Sequence, residues 1–196
     1  MQTYCALGRL LLRPSEQLRD AMAPLRKRLA EDTHLSAKRR RTLDNLCRRL
    51  SRADLVPAQK HYKYCFYTRF SLYLFEQNQQ DTQERTDARL VLNDLYRQSD
   101  LELNDYELPD YLPLICEALG QMDEIDAYGL LCELQPNLLK LAYKLDSISS
   151  DYAAVCHALV ELIPDTYRTA YSAPLKPATN FFKRKPCLRV DGRRLL

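Results

Sequence analysis

Side chains able to do chemistry are plentiful in this sequence, but few stand at the spacings that chemistry needs. Carboxylates lie close together at Asp123 and Glu124 and at Glu102 and Asp105. A general acid and base could use such a pair, yet both pairs fall in acidic stretches that read as solvated surface. There is no glycine-rich phosphate loop, no Gly-x-Ser-x-Gly and no His-Glu-x-x-His. Seven cysteines, Cys5, Cys47, Cys65, Cys116, Cys132, Cys156 and Cys187, include no Cys-x-x-Cys, and their odd number argues against a disulfide framework. Most fall on apolar faces, where a free thiol packs as a small hydrophobe. His34, His61 and His157 are isolated and read as outside any ligand set. The chain is therefore expected to be no enzyme, with no metal and no cofactor of its own.

What remains is binding, and the residue to start from is Asp110. It stands between Pro109 and Pro113, two prolines four apart. Proline lacks the N–H an interior helical turn needs, so the pair predicts a helix starting near Pro109. Leu112, Ile115, Cys116 and Leu119 then recur at i, i+3, i+4 and i+7, which predicts one buried face. Asp110 would lie in the first turn, where the exposed N–H groups and the helix dipole favour a carboxylate. Glu107 and Glu117 fall off the apolar face.

The run Glu107-Leu108-Pro109-Asp110-Tyr111-Leu112-Pro113-Leu114 resembles the Leu-Pro-Asp-His-Leu-Pro signature of the nitrate reductase molybdenum-cofactor assembly chaperones, the delta-subunit type of the redox enzyme maturation chaperones. Upstream, Ser71-Leu72-Tyr73-Leu74-Phe75-Glu76 is similar to the family's Ser-Leu-x-Leu-Phe-Glu, and Arg85 and Leu92 to Tyr96 fall in a spacer of matching length. The likeness covers about residues 58 to 120. Tyr111 stands where the family usually has His, and Tyr64-Cys65-Phe66 lies where it has Phe-Asp. The resemblance implies a cytoplasmic chaperone that binds the N-terminal segment of a molybdoenzyme catalytic subunit, assists molybdenum-cofactor insertion and leaves the finished enzyme. By the same likeness the peptide-binding residues are Asp110, Pro109, Leu112 and Pro113, followed by Glu107, Tyr73, Phe75, Glu76 and Glu117. Residues touching the molybdenum cofactor are not assigned. On this reading Asp110→Asn weakens peptide binding with little loss of melting temperature, whereas a helix-capping role would make the loss chiefly one of stability.

Charge supports a cationic partner. The net charge of +3 conceals segregation: residues 1 to 63 hold 15 basic and 6 acidic side chains, 64 to 165 hold 6 and 19, and 166 to 196 hold 8 and 1. The Pro-Asp corner thus belongs to an acidic region suited by its field to a basic, amphipathic helix. The alternative is a helical nucleic-acid-binding or regulatory protein acting through Lys38-Arg39-Arg40-Arg41 and Lys183-Arg184-Lys185. That basic run is interrupted by apolar helical positions and lacks interleaved aromatics, which favours a solvated face over a stable nucleic-acid site.

The elements that must position the corner read as helices throughout. Leu7, Leu10 and Leu11 predict a short helix ending before Pro14. Ser15 caps the next, lined by Leu18, Met22, Leu25 and Leu29 and kinked or split near Pro24. Leu43, Leu46, Cys47 and Leu50 line a third from Ser36 to Arg52. Residues 61 to 75 hold eight aromatics, His61 included, and read as helix, loop, helix with a break near Thr68, some of them lining a groove. Asp81 to Glu84 forms a capping box before a helix burying Ala88, Val91, Leu92 and Leu95. The corner helix stops near Gly120. Two more helices are separated by a break at Pro136, and a last one ends before Pro164.

No segment calls for a sheet. The expectation is an all-α, single-domain bundle of short to medium helices over 1–165 and a basic, proline-containing tail over 166–196. With loops this short, a helix-exchanged homodimer is compatible with the sequence. No stretch approaches the roughly 20 apolar residues of a membrane span, and Met1-Gln2-Thr3-Tyr4 lacks a signal-peptide pattern, which predicts a cytoplasmic location.

Overall fold

The computed structural model describes residues 2–77, 82–98 and 108–170. Among them the architecture is all-α, with a lone β-bridge between Tyr73 and Tyr111. Helix α1 (Gln2–Leu10) is followed by α2 (Glu16–Asp20), whose N-cap Ser15 accepts from the Leu18 N–H as its position predicts. The apolar stripe after Ser15 is split at Ala21, so that Pro24 falls in the first turn of α3 (Met22–Glu31), where its missing N–H costs nothing. Helix α4 (Ala37–Arg52) is capped by Ser36 and buries Leu43, Leu46, Cys47 and Leu50.

Helix α5 (Leu55–Lys63) runs without a loop into a π-helical stretch, Tyr64–Arg69, closed by the Phe70 N–H donating to the Cys65 carbonyl. The predicted break near Thr68 therefore falls at Phe70. Each wider π-turn takes in one extra residue. Cys65 and Phe66 consequently face inward with Tyr62, while Tyr64 and Tyr67 are exposed. Tyr62 and Phe66 meet edge to face with centroids 5.0 Å apart, and Tyr152 packs on Phe66 at the same distance.

A 3₁₀ turn, Leu74–Gln77, precedes α6 (Thr82–Gln98). Asp81 of the predicted capping box lies outside the described residues, as do Glu102, Asp105, Glu107, Cys187 and the tail beyond 170. Helix α7 spans Leu112–Gln121, α8 Glu124–Ser147 and α9 Ala153–Glu161. A short α10 (Asp165–Ala170) crosses the expected start of the tail.

Two expectations fail here. The corner helix begins at Leu112 rather than near Pro109, and Pro113, not Pro109, occupies its first turn. Pro136 does not break α8, which continues for 24 residues. A proline can stay inside a helix when packing on both sides outweighs the lost hydrogen bond. Leu134 and Leu138, which flank it, are both fully buried.

The core is a slab of leucine, alanine and cysteine in which α1 lies on α7 and α8 on α9. Gly8 lets the first pair approach closely: a Cβ there would sit 2.7 Å from the Cys116 Cβ and 3.1 Å from the Pro113 carbonyl oxygen. Cys47, Cys65, Cys116, Cys132 and Cys156 are buried as free thiols, and Cys5 is half-buried. Burial pushes the Cys47 and Cys156 thiols up to about 12. Among the described residues no group of three His, Cys, Asp or Glu side chains is placed to hold a metal, and no helix is long and apolar enough to cross a membrane.

Candidate functional site

The two motif segments, separated by thirty residues, are stitched together by backbone. The Leu74 N–H donates to the Asp110 carbonyl at 3.0 Å and the Leu112 N–H to the Leu72 carbonyl at 2.9 Å, on either side of the Tyr73–Tyr111 bridge. The rings of Tyr73 and Tyr111 lie 5.3 Å apart. A turn closed by the Tyr111 N–H on the Leu108 carbonyl places Pro109 and Asp110 at its centre. Thus a turn and then an extended Tyr111 precede α7, in the place of the expected first helical turn.

Asp110 faces inward and is fully buried. Its Oδ2 accepts from the Phe75 N–H at 3.1 Å. Arg89 of α6 approaches from the rim, 25% exposed, with Nε 2.7 Å from Oδ1 and Nη2 3.4 Å from Oδ2. Seven positions on, the Tyr96 hydroxyl donates to the Pro109 carbonyl. On the opposite side Asn137 of α8 donates to the Leu74 carbonyl at 3.1 Å. Asp110 is therefore the hub that joins α6, the 3₁₀ turn and α7, and α7 takes Tyr111 as its N-cap with no side-chain cap bond.

This geometry alters the expectation for Asp110→Asn. A fully buried carboxylate paired to a guanidinium cannot be neutralised without loss of stability, because Arg89 and its partner atoms lose a charge-assisted bond. The predicted small effect on melting temperature does not fit this environment, and neither does a first-turn capping role.

The remaining predicted site residues separate into three groups. Pro109 and Phe75 are buried around Asp110, and Tyr73 is half-buried over them. Leu112 and Pro113 belong to the core side of α7, with the Pro113 carbonyl against α1. Glu76 and Glu117 are exposed, and Glu107 lies outside the described residues. Leu108, at 38%, and Leu90 of α6, at 57%, are exposed apolar side chains on the two segments that Asp110 and Arg89 join. Tyr111, in the place of the usual histidine, hydrogen-bonds Tyr62, whose hydroxyl donates to the Leu11 carbonyl; burial, then this contact, raises the Tyr62 pKa strongly.

Three residues of the corner escaped sequence reasoning: Arg89, Tyr96 and Asn137. Arg89 did leave a signal. It precedes Leu92 by three and Tyr96 by seven, so a cation sits on the buried stripe of α6. A second polar cluster was also missed, where His61 Nε2 lies 3.3 Å from the Ser150 hydroxyl and 3.5 Å from the Cys65 sulfur. Burial and the neighbouring Arg49 lower the His61 pKa, and burial raises that of Cys65. A lowered imidazole pKa and a raised thiol pKa both work against a thiolate–imidazolium pair here.

Two open grooves flank α3, away from the corner. One, of about 530 Å³, lies against α1 with Arg9, Lys27 and Arg28 on its rim; the other, of about 300 Å³, lies against α4 with Arg26, Arg40 and Arg41. The α4 basic run is partly spent inside the molecule. Arg39 pairs with Glu161 at 3.1 Å, and Arg40 donates to the Asp32 and Leu35 carbonyls at 2.8 Å. Lys38 and Arg41 remain exposed.

Comparison with known proteins adds a family. Residues 15–144 match the family described as nitrate reductase delta subunit. The chain is 31% identical over 158 residues to the nitrate reductase molybdenum cofactor assembly chaperone NarJ of Escherichia coli K12, an alignment covering 80% of this chain and 67% of that one. It is 31% identical over 103 residues to a probable NarJ chaperone of Bacillus subtilis 168, covering 52% and 56% of the two chains. The probable chaperone NarW of E. coli K12 is 34% identical over 92 residues, covering 47% and 40%.

Proposed function

This chain belongs to the nitrate reductase delta subunit family, and we propose that it is an assembly chaperone for a molybdoenzyme of the nitrate reductase type, acting by binding rather than catalysis. Its partner is the N-terminal segment of the enzyme's catalytic subunit. It holds that subunit ready for molybdenum-cofactor insertion in the cytoplasm, with the cofactor as cargo. The observation that carries the reading is the corner itself: both motif segments converge on a buried carboxylate that already holds one guanidinium. A carboxylate in that environment is a strong, geometry-selective acceptor for arginine.

A basic amphipathic helix would lay its apolar face along Leu108 and the half-buried Tyr73 and Tyr111, with arginine taking the rim position that Arg89 holds on the buried Asp110 and further cations at Glu76 and Glu117. Isothermal titration of the full chain with a synthetic 15-residue helix bearing leucine and phenylalanine on one face and two arginines beside it tests this. Binding is expected to weaken as salt rises and to fail when both arginines are replaced by glutamine. Equal affinity for the two peptides would refute an arginine-reading site. A gel shift at physiological salt, run in parallel, tests the nucleic-acid alternative through Lys38→Ala/Arg41→Ala, which spares the internally bonded Arg39 and Arg40.

A further inference from the structure

We propose that α6 is an internal stand-in for the client: Arg89, Leu92 and Tyr96 occupy the places that an arginine, an aliphatic and an aromatic residue of the bound helix take when they replace them. The inference rests on the peptide-binding reading above and names what that site selects and what holds it closed.

Leaving Asp110 without a cation is costly. Its carboxylate is fully buried, with the backbone N–H of Phe75 on one oxygen and the Arg89 guanidinium across both. Removing the guanidinium into water strands a buried charge, which is strongly unfavourable. Exchanging it for a second guanidinium strands nothing. The corner is therefore closed to water and open to substitution by like chemistry. Lysine, a point charge without a planar fork, is the poorer substitute.

Arg89 enters from the rim, so its head can be replaced without unpacking α7. The other anchors of α6 fall on the same stripe, and one of them, Tyr96, reaches the same dipeptide. Leu92 is fully buried, and Tyr96, also fully buried, donates its hydroxyl to the Pro109 carbonyl beside Asp110. Positions i, i+3 and i+7 on one face are the spacing by which an amphipathic helix anchors in a groove. The client pattern read from this internal ligand is Arg-x-x-aliphatic-x-x-x-aromatic, in a helix whose remaining cations meet the exposed Glu76 and Glu117.

The test uses the full chain and a labelled peptide copying residues 82–98. If α6 stands in for the client, this peptide binds the Arg89→Gln chain at least about tenfold more tightly than the wild type, because the internal competitor is weakened. Arg89→Lys falls between the two and guards against a glutamine variant that misfolds. The peptide carrying glutamine at the position of Arg89 loses a similar factor on the Arg89→Gln chain. The leucine- and arginine-bearing 15-residue helix should compete with it for one site. Equal or tighter binding to the wild type overturns the stand-in while leaving the peptide site intact, provided the 15-residue helix still binds. Absence of binding by either peptide to any of the three chains overturns both.

Discussion

The seam between α1 and α7 and the corner that leads into α7 are neighbours, yet they are held by opposite means. The seam is apolar and close-fitting, with Gly8 against Cys116 and Leu7, Leu10, Ile115 and Leu119 fully buried beside it. Its contacts are non-directional and depend on shape, so no incoming group can replace one without leaving a void. At the corner the fit is made by a few directional bonds to Asp110 and Pro109. Such bonds can be handed to another donor of the same geometry at small net cost. Under the stand-in proposal, the difference gives permanence to one region and exchange to the other.

The comparison can be broken at several points. Leu138→Ala, at a fully buried position of α8, removes packing that nothing can replace and should cost about 2–5 kcal/mol, read as a lowered chemical-denaturation midpoint. Its affinity for peptide, per folded molecule, should be unchanged. Asp110→Asn should lower stability by about 1–3 kcal/mol and also weaken the 15-residue helix. A variant that loses affinity at unchanged stability would show the carboxylate more exposed than its burial indicates.

Gly8→Ala should destabilise by about 1–3 kcal/mol, although alanine is the better helix former by about 1 kcal/mol. The sign is set by the added carbon falling 2.7 Å from a Cβ and 3.1 Å from a carbonyl oxygen, neither of which can swing aside. Tyr96→Phe removes one hydrogen bond and should cost about 1 kcal/mol while increasing hydrogen exchange across α6 more than across α8.

The smallest effect concerns acid. Burial raises the Glu161 pKa, but hydrogen bonds from Ser36 and Arg39 and the Arg39 charge outweigh it and leave the pKa lowered; Asp44, between Arg26 and Arg48, is lowered in the same way. A carboxyl whose folded pKa lies below its unfolded value contributes stability above the unfolded pKa, about 4 for these groups, and loses it as pH falls through the folded one. The melting temperature should therefore decline below about pH 4–5, and Glu161→Gln should flatten that decline by under about 1 kcal/mol.

Much of this was legible in the sequence because helices announce themselves locally. The cap at Ser15 and the stripe Leu43, Leu46, Cys47, Leu50 need only neighbouring residues to specify them. The Pro-Asp corner could be located for the same reason. What the sequence concealed was which way Asp110 faces, because that is decided by Arg89, twenty-one residues earlier, and by a backbone bridge to Tyr73. A carboxylate next to proline has the same local signature whether it caps a helix or anchors a neighbouring one. Pro136 and the π-turn at Tyr64–Arg69 were hidden for a related cause: both deviate from local preference under packing by distant helices.

The sealed cysteines give this molecule a built-in stopwatch. While the bundle is closed, their buried, protonated thiols offer almost no thiolate to an alkylating reagent, so each can be modified only when its own surroundings open. Cys65 sits by the π-turn, Cys116 beneath α1, and Cys156 within α9. The order in which they are captured would chart which wall of the bundle yields first, without a single engineered reporter.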